Sequence, residues 1–496
     1  MEKNVLEWLE RAADKYPDRV VYEDTEESIT FSELLLEAER IGSALAVRGL
    51  SERPVAVMMG RGVHTIAAYL GIVYSGHAYA PIDRTQPSTR IEKILKLLNP
   101  EAVLCDEAPE ISVDGAEILL YDEIKEHEIL QEELERIRHE ATDISPLYII
   151  FTSGSSGRPK GVITAHHALM NYIHAYAGMM EIDSSDILCS QSPLDYIAAI
   201  RDIYVPLLKG CRTFLSPKEY FMQPGVLFGM MNEKRITCIG WSTSALGVLS
   251  KLGAFREGKP EYLKKVCFSG SVMPGRVLRE WQEALPEALF VNQYGPTEVT
   301  ASCTYYRIDH RVEDTESIPA GVPYDNYKVF LLSDDGGRVS PGDTGEICVA
   351  GSGLALGYYN DEERTKAAFV QNPLNKVYNE MIYRTGDMGS FRQDGMLEFH
   401  GRRDRQIKHM GHRVELDEIE CAAMAAEGVA EAAAVYDPVN EAIRLFYSGE
   451  AVLKDVVVEM RRSLPGFMVP RKVKKLDMLP RLANGKTDLE KLKGLT

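Results

Sequence analysis

The sequence predicts an α/β protein: a large N-terminal domain of layered α/β sheets with a small β subdomain, followed by an α+β C-terminal subdomain. The boundaries fall at residues 1–403 and 404–496, with the small β subdomain at about 320–400. Three observations predict this. Apolar, strand-like runs alternate with stretches of helical periodicity up to about residue 300, the pattern of sheets buried between helices. From about 320 the rhythm changes to strands joined by tight Asp/Gly turns. The charged stretch Gly401-Arg402-Arg403-Asp404-Arg405 then separates a final segment with helix and strand patterns of its own.

In order along the chain, residues 4–15 place Val5, Leu6, Leu9, Ala12 and Ala13 at helical spacing, and Val20-Val21-Tyr22 has strand character. Thr30-Phe31-Ser32-Glu33-Leu34 opens an amphipathic helix reaching about Leu50, with Thr30 or Ser32 as its cap. A strand over Pro54 to Met59, a helix over 62–75 and a strand and turn over 76–83 follow. Residues 122–140, rich in Glu, Lys and His, read as a solvated helix or linker. Leu147 to Phe151 and Leu289-Phe290-Val291 are buried strands. In the small β subdomain Val329 to Leu332 and Gly345 to Ala350 flank the turn Asp334-Asp335-Gly336-Gly337. The tail reads Val414-Glu415-Leu416, helix 417–426, strands 432–436 and 443–447, helix 454–463, and a terminal loop.

Composition narrows the function. With 496 residues the chain is long for one core, and its 45% hydrophobic and 26% charged content is that of a globular enzyme. Lys and Arg number 56 against 74 Asp and Glu, a net charge of −18, which opposes broad binding to nucleic acid or anionic membranes. No apolar run approaches the ~20 residues that span a bilayer. The opening MEKNVLEWLERAADKY lacks the apolar core of a signal peptide, so a cytoplasmic location is expected. The eight cysteines are scattered without a C-x-x-C pair, which favours reduced thiols over disulfides or zinc.

The stretch LYIIFTSGSSGRPKGV, residues 147–162, carries the first chemical signal. A strand feeds Thr152-Ser153-Gly154-Ser155-Ser156-Gly157, whose glycines allow close backbone approach and whose N–H and hydroxyl groups can surround a polyphosphate. Lys160 adds a mobile charge. It is not the common ATPase P-loop, and Pro159 and Gly161 around the lysine oppose a helix starting there. The plain alternative is a Gly/Ser surface linker. Further on, Asn292-Gln293-Tyr294-Gly295-Pro296-Thr297-Glu298 offers a tyrosine for a purine face and a carboxylate for Mg²⁺. Tyr383-Arg384-Thr385-Gly386-Asp387 puts a carboxylate in a turn, where it can accept ribose hydroxyls. Asn484-Gly485-Lys486 places a lysine on a turn. Taken singly, each of these is as easily an ordinary turn.

Together the motifs resemble the adenylate-forming superfamily, most closely the adenylation domains of nonribosomal peptide synthetases and the stand-alone D-alanine–carrier protein ligases. The resemblance runs from about Thr30 to Leu489 and rests on TFSEL (30–34), GHAYAPID (76–83), TSGSSGRPKG (152–161), NQYGPTE (292–298), GEICVAGSGLALGY (345–358), YRTGD (383–387), GRRDRQIKHMGHRVELDEIE (401–420), LPGFMVP (464–470) and NGKTD (484–488). It implies a ligase that forms an acyl-adenylate from ATP with Mg²⁺. The acyl group then passes to a thiol, usually the phosphopantetheine of a carrier protein. It also implies a C-terminal subdomain that is mobile between the two steps, with Asp404 as hinge.

By the same resemblance Thr152, Ser153, Gly154, Ser155, Ser156, Gly157 and Lys160 handle the phosphates, and Asn292 and Tyr294 face adenine. Gly270, Gly295 and Thr297 belong to the same nucleotide site. Asp387 and Arg402 hold the ribose, Glu298 and Thr152 serve the metal, and Lys486 bridges the carboxylate and the α-phosphate. Phe399 departs from the family, which often has tyrosine there. The acyl pocket is lined by Tyr196, Ile197, Ala198, Arg201, Gly240, Cys267, Ser269, Gln293, Ala301 and Ser302.

Ile197 falls where amino-acid-activating relatives place the aspartate that meets the substrate ammonium, in a register set by Arg201-Asp202-Ile203-Tyr204. An apolar side chain there would leave a desolvated ammonium unpaired, so the expected substrate is a small carboxylic acid that is not an α-amino acid. The alternative is a displaced anchor at Asp195. For Arg201 the expectation is either a second carboxylate on the substrate or an ion pair with Asp202 or a neighbour. With no carrier segment following and no condensation domain preceding, a free-standing ligase with a separate carrier protein is expected. Coenzyme A is the alternative acceptor, and a non-catalytic acyl-nucleotide sensor the alternative role.

Overall fold

A computed structural model describes residues 2–50, 53–111, 113, 115–154, 158–438, 440–481 and 487–495. The chain divides into two compact units. The first comprises Met1–Asp83, Leu98–Ile150 and Val162–Gly401; the second comprises Arg84–Leu97, Phe151–Gly161 and Arg402–Thr496.

The first unit is layered α/β. Its nine-stranded sheet has the order Val322–Pro323, Thr304–Ile308, Leu289–Tyr294, Lys265–Ser269, Cys238–Ser242, Ile187–Ser190, Arg212–Leu215, Val20–Glu23 and Ser28–Thr30. Five neighbouring strands, Cys238–Ser242 through Val20–Glu23 together with Lys265–Ser269, run parallel, and Leu289–Tyr294 joins them in parallel from the side of Lys265–Ser269. Parallel sheets demand cover on both faces, which explains why these strands read as unbroken apolar runs. A second sheet is built around the parallel strands Tyr79–Pro81, Val55–Met58, Ala102–Cys105 and Glu117–Leu120. The antiparallel sheet Tyr327–Leu332, Gly345–Gly351, Met381–Phe391 and Phe369–Gln371, with Leu397–Arg402 beside Met381–Phe391, forms the small β layer.

The N-terminal helices follow the periodicity closely. Leu6–Lys15 buries Leu6, Trp8, Leu9, Ala12 and Ala13. Phe31–Ala46 starts at Thr30 with a capping box, Thr30 accepting from the Glu33 amide while Glu33 accepts from the Thr30 amide. Residues 122–140 hold two short helices, Tyr121–Ile124 and Gln131–Glu140. They are largely exposed but anchored by buried Tyr121, Ile124 and Leu134. Lys160–Ala165 is a strand, so no helix starts at the lysine, in line with Pro159 and Gly161.

In the second unit Val429–Asp437, Ala442–Gly449 and Lys472–Lys475 form one sheet, covered by Leu416–Met424 and Leu453–Ser463 around a core that includes Val414, Ile419, Leu445, Val456 and Met460. Two expectations are corrected here. The terminal loop contains the strand Lys472–Lys475 and the helix Leu489–Lys493. The strand was hidden because Lys-Val-Lys-Lys is an edge with three lysines, a composition that blunts exposed edges rather than signalling a core. Tyr383 to Asp387 is not a turn; it lies inside the eleven-residue strand Met381–Phe391, whose register shifts opposite Glu346 and Cys348. Among the described residues no helix is long and apolar enough to cross a membrane, and no disulfide joins any of the eight cysteines.

The helices Phe31–Ala46 and Val63–Tyr74 meet through two glycines. A Cβ at Gly71 would lie 2.5 Å from Ile41 Cβ, and one at Gly42 would lie 2.5 Å from Tyr74 Cβ. Gly71→Ala is therefore expected to overpack the contact and cost about 1–3 kcal/mol, read as a lower urea midpoint.

Candidate active site

The site in the first unit is organised by the alternation of one strand. In Leu289–Tyr294, Val291 and Gln293 point to one face of the sheet, Asn292 and Tyr294 to the other. Val291 pairs with Cys267, and Cys267 with Gly240, so Gln293, Cys267 and Gly240 share a face near the carboxyl ends of three parallel strands. That is where open α/β sheets bind ligands.

On this face stands Arg201, from the helix Ala199–Lys209, with only 1% of its surface exposed. Its Nη2 donates to the Gly240 carbonyl (3.0 Å), Nη1 to Gln293 Oε1 (3.1 Å) and Nε to the Ala198 carbonyl (3.2 Å). Cys267 Sγ lies 3.9 Å from Nη1, and the guanidinium lies 5.7 Å from the centre of the Tyr176 ring. Ser302 Oγ donates to Gln293 Oε1 at 3.4 Å, and Gln293 Nε2 donates to the Tyr324 hydroxyl. A Cβ at Gly240 would stand 3.0 Å from the Tyr176 hydroxyl, a tight approach, and 3.4 Å from Arg201 Cζ, an ordinary contact. Six of the predicted pocket residues, Ala198, Arg201, Gly240, Cys267, Gln293 and Ser302, thus meet in one cluster.

Ion pairing of Arg201 with Asp202 is not what the structure contains. No carboxylate hydrogen-bonds Arg201 among the described residues. Asp202 instead bonds to Ser190, and its Oδ2 is buried with no hydrogen-bond partner among the described residues. Arg61 approaches the same serine, donating through Nη2 to Ser190 O (3.0 Å) and Oγ (3.1 Å). Burial pushes the Asp202 carboxyl up to about 7, against the lowering influence of Arg201, Ser190 and Arg61.

Of the remaining pocket residues, Tyr196 and Ile197 lie in the turn before this helix, Ile197 6% exposed within the main core and Asp195 half-buried beside them. Ser269 ends the strand Lys265–Ser269, and its carbonyl accepts from Thr243 Oγ1 (3.3 Å). Gly270 follows at φ +102°, and a Cβ there would meet nothing within 4 Å, so the chain turns beside open space. Thr300 and Ala301 hold φ of 59° and 72°, two successive left-handed residues without glycine. Such backbone strain gathers at ligand sites.

On the opposite face, Asn292 Nδ2 donates to the Pro319 carbonyl (2.8 Å). The Tyr294 hydroxyl donates to Asp387 Oδ2, and the Asp387 amide donates to Thr385 Oγ1 (2.9 Å). Burial, then the neighbouring Asp387 carboxylate, holds the Tyr294 phenol well above its usual range, so it stays a donor. Phe399 packs on Tyr294 with ring centres 5.8 Å apart. Gly295 has no room for a side chain, because a Cβ would overlap the Ser302 backbone. Thr297 and Glu298 are buried in the 3₁₀ turn Thr297–Val299, where Glu298 Oε1 accepts from the Tyr358 hydroxyl (2.8 Å).

In the second unit, Thr152 Oγ1 is buried with no hydrogen-bond partner among the described residues, while Ser153 Oγ donates to the Arg413 carbonyl (2.7 Å). Gly154 follows, and Lys160 is buried at the start of its strand. Arg402 grips Asp404 with both ends of its fork, Nε to Oδ1 at 2.6 Å and Nη2 to Oδ2 at 2.7 Å. The arginine assigned to ribose is thus engaged with the assigned hinge residue two positions on. Ser155, Ser156, Gly157 and Lys486 lie outside the described residues. The motifs gave no notice of Tyr176, Tyr324, Ser190 or Arg61, which surround Arg201 and Asp202 from distant parts of the chain.

Residues 9–359 match the model of the AMP-binding enzyme family, and residues 418–486 match that of its C-terminal domain. The chain belongs to the AMP-binding enzyme family. It is an adenylate-forming ligase by that membership. This AMP-binding enzyme is 32% identical to bacitracin synthase 2 of Bacillus licheniformis over 99% of its own length but only 18% of the synthase's. It is 27% identical to the D-alanine–D-alanyl carrier protein ligase of Lacticaseibacillus casei (strain BL23), with 99% of each chain covered. Among solved structures it is similar to a holo NRPS protein containing adenylation and PCP domains, bound to a vinylsulfonamide inhibitor. The TM-score is 0.83 at 25% identity, over 99% of this chain and 84% of that one.

The raised Asp202 carboxyl sets a pH dependence. Unfolded, the group loses its proton near 3.9; folded, it keeps it to about 7, so the native state binds more protons between these values. Stability is therefore lost as pH rises through that window. Asp202→Asn should flatten the decline, read as urea midpoints at pH 5 and pH 8 that differ less than in the wild type.

Proposed function

We propose that this enzyme activates a small carboxylic acid that is not an α-amino acid, and then transfers it to the phosphopantetheine thiol of a separate carrier protein. In the first step a carboxylate oxygen attacks the α-phosphorus of ATP; the new O–P bond forms as the bond to pyrophosphate breaks. In the second, the thiol sulfur attacks the acyl carbon and AMP leaves. Both steps need positioning and charge stabilisation more than a protein nucleophile.

The observation that carries this reading is the alternation along Leu289–Tyr294. Gln293 belongs to the Arg201 cluster, while Asn292 and Tyr294, with Asp387 attached, belong to the other face. One rigid strand therefore serves an acid pocket and a nucleotide surface and fixes their spacing. Asn292 and Tyr294 are assigned to adenine, Asp387 and Arg402 to ribose, and Thr152, Ser153, Ser155, Ser156 and Lys160 to the phosphates. Lys486 offsets the charge that builds between carboxylate and α-phosphate. Ile197 supports the choice of an acid without an α-ammonium, since a buried apolar group gives such a charge no partner.

Mg²⁺ fits the oxygen donors available. Among the described residues no group of three or more His, Cys, Asp or Glu could hold a metal. Mg²⁺ needs no such cage, being held commonly by one or two carboxylates plus substrate phosphates. Glu298 would supply the carboxylate. When bound, the metal neutralises polyphosphate charge.

Acid-dependent ATP–pyrophosphate exchange tests the first step, with amino acids run against their keto, hydroxy and desamino analogues. Preference for an amino acid, abolished by Asp195→Ala, would replace Ile197 with the displaced anchor. Lys486→Ala should lower exchange by about a hundredfold or more. Transfer from supplied acyl-adenylate to a carrier thiol should survive, and equal loss of both half-reactions would sink the assignment of Lys486.

A further inference from the structure

The Arg201 guanidinium is buried and fully charged, yet among the described residues everything it hydrogen-bonds or lies against is neutral. Its hydrogen bonds go to two backbone carbonyls and one amide oxygen, with a thiol and a phenol ring beside it. Burial pushes the Cys267 thiol up to about 12 and the Tyr176 phenol well above its usual range, so neither supplies an anion. The adjacent Asp202 turns to Ser190, with one buried oxygen that has no hydrogen-bond partner among the described residues. Burying a cation without a hydrogen-bonded anion is costly, and a core that needed only to fill this space would do better with an apolar side chain.

The surroundings hold the charge in place rather than neutralise it. The Gly240 carbonyl orients one edge of the fork, and the missing side chain there leaves room for the Tyr176 hydroxyl beside it. Gln293 is itself fixed by Tyr324 and Ser302, so its amide oxygen faces the arginine. Three carbonyl-type acceptors take Nε and one hydrogen of each terminal nitrogen, and the second Nη1 hydrogen meets only the weak Cys267 Sγ acceptor (3.9 Å). The single Nη2 bond to Gly240 uses one of the two Nη2 hydrogens, and the guanidinium fork is suited to the two oxygens of a carboxylate.

We propose that Arg201 is a specificity-determining residue that receives a second carboxylate, so that the preferred substrate is a dicarboxylic acid activated at one end and held at the other. This deepens the proposed function and rests on its assignment of these residues to the acyl pocket. The activated carboxylate goes to the nucleotide, and the distal one enters the neutral shell around Arg201. Ile197 leaves the α-position without an anionic partner, so dicarboxylic acids and their keto or hydroxy derivatives fit better than aspartate or glutamate.

The test is ATP–pyrophosphate exchange by the full chain with acids matched in size: succinate against butyrate and succinamate, glutarate against pentanoate and glutaramate, and each diacid against its 2-oxo and 2-amino form. At least one diacid should exceed its monoacid and monoamide partners by about tenfold to a hundredfold in kcat/KM, the range of a charge-assisted hydrogen bond. Arg201→Met should erase that ratio mainly through KM for the diacid, while Arg201→Lys should restore part of it. Equal or better exchange with the monoacids by the wild-type enzyme overturns the inference, whether or not the variants fold. So does a diacid preference that survives in Arg201→Met. Aspartate or glutamate exceeding its desamino partner, with the Arg201 dependence intact, supports a distal carboxylate and overturns the Ile197 reading instead. Exchange with no acid in the panel or in the broader amino, keto and hydroxy series overturns the activation reading itself, and this inference with it.

Discussion

A buried cation needs polar company on every side, and Arg201 imposes that need on much of the first unit. Its helix supplies the arginine, with Ala198 just ahead of it; neighbouring parallel strands supply Gly240, Cys267 and Gln293; the helix His166–Met179 supplies Tyr176. None of these groups can be exchanged freely. A side chain at Gly240 would press on the Tyr176 hydroxyl, and loss of Gln293 would remove an acceptor from a charge that water cannot reach. Close packing makes the pocket and the core the same object here, so a specificity residue is also a folding residue.

The other face of the same strand carries a different chemistry. Tyr294 donates to Asp387, Asp387 is held in turn through Thr385, and Phe399 packs on the Tyr294 ring. The phenylalanine therefore contributes ring packing without adding a hydroxyl. Beyond the strand the chain passes through buried Glu298 and then through two left-handed residues, Thr300 and Ala301, before returning to pair with Tyr294 through the Cys303 amide. The strained pair brings Ser302 under Gly295, where only a glycine leaves room.

In the second unit the assigned hinge carboxylate is not free to act as a bare pivot. Arg402 holds both of its oxygens, and the Gln406 amide donates to one of them (3.1 Å). Although burial alone would raise its pKa, Arg402 holds the Asp404 carboxyl below the ordinary value, keeping the pair charged. Any rotation about residue 404 must carry this fork with it or break two charged hydrogen bonds.

Local chemistry made much of the protein legible from sequence. The Thr30 capping box, the helical spacing of Leu6, Leu9 and Ala13, the apolar runs of the parallel strands, and the proline and glycine that keep Lys160 out of a helix all act over a few residues, and the chain states them directly. The ordered motifs carried the family in the same way. Short-range rules failed where long-range pairing decided: Lys472–Lys475 is a strand because Ala442–Gly449 offers it an edge, and Tyr383 to Asp387 is extended because Gly345–Gly351 pairs beside it. The acyl pocket marks the same division. Sequence register named Arg201, Gly240, Cys267 and Gln293 as neighbours of a substrate. Only the tertiary structure decided that Asp202 turns to Ser190 and leaves Arg201 among neutral partners, because the direction of a buried side chain is set by residues far along the chain that compete for its hydrogen bonds.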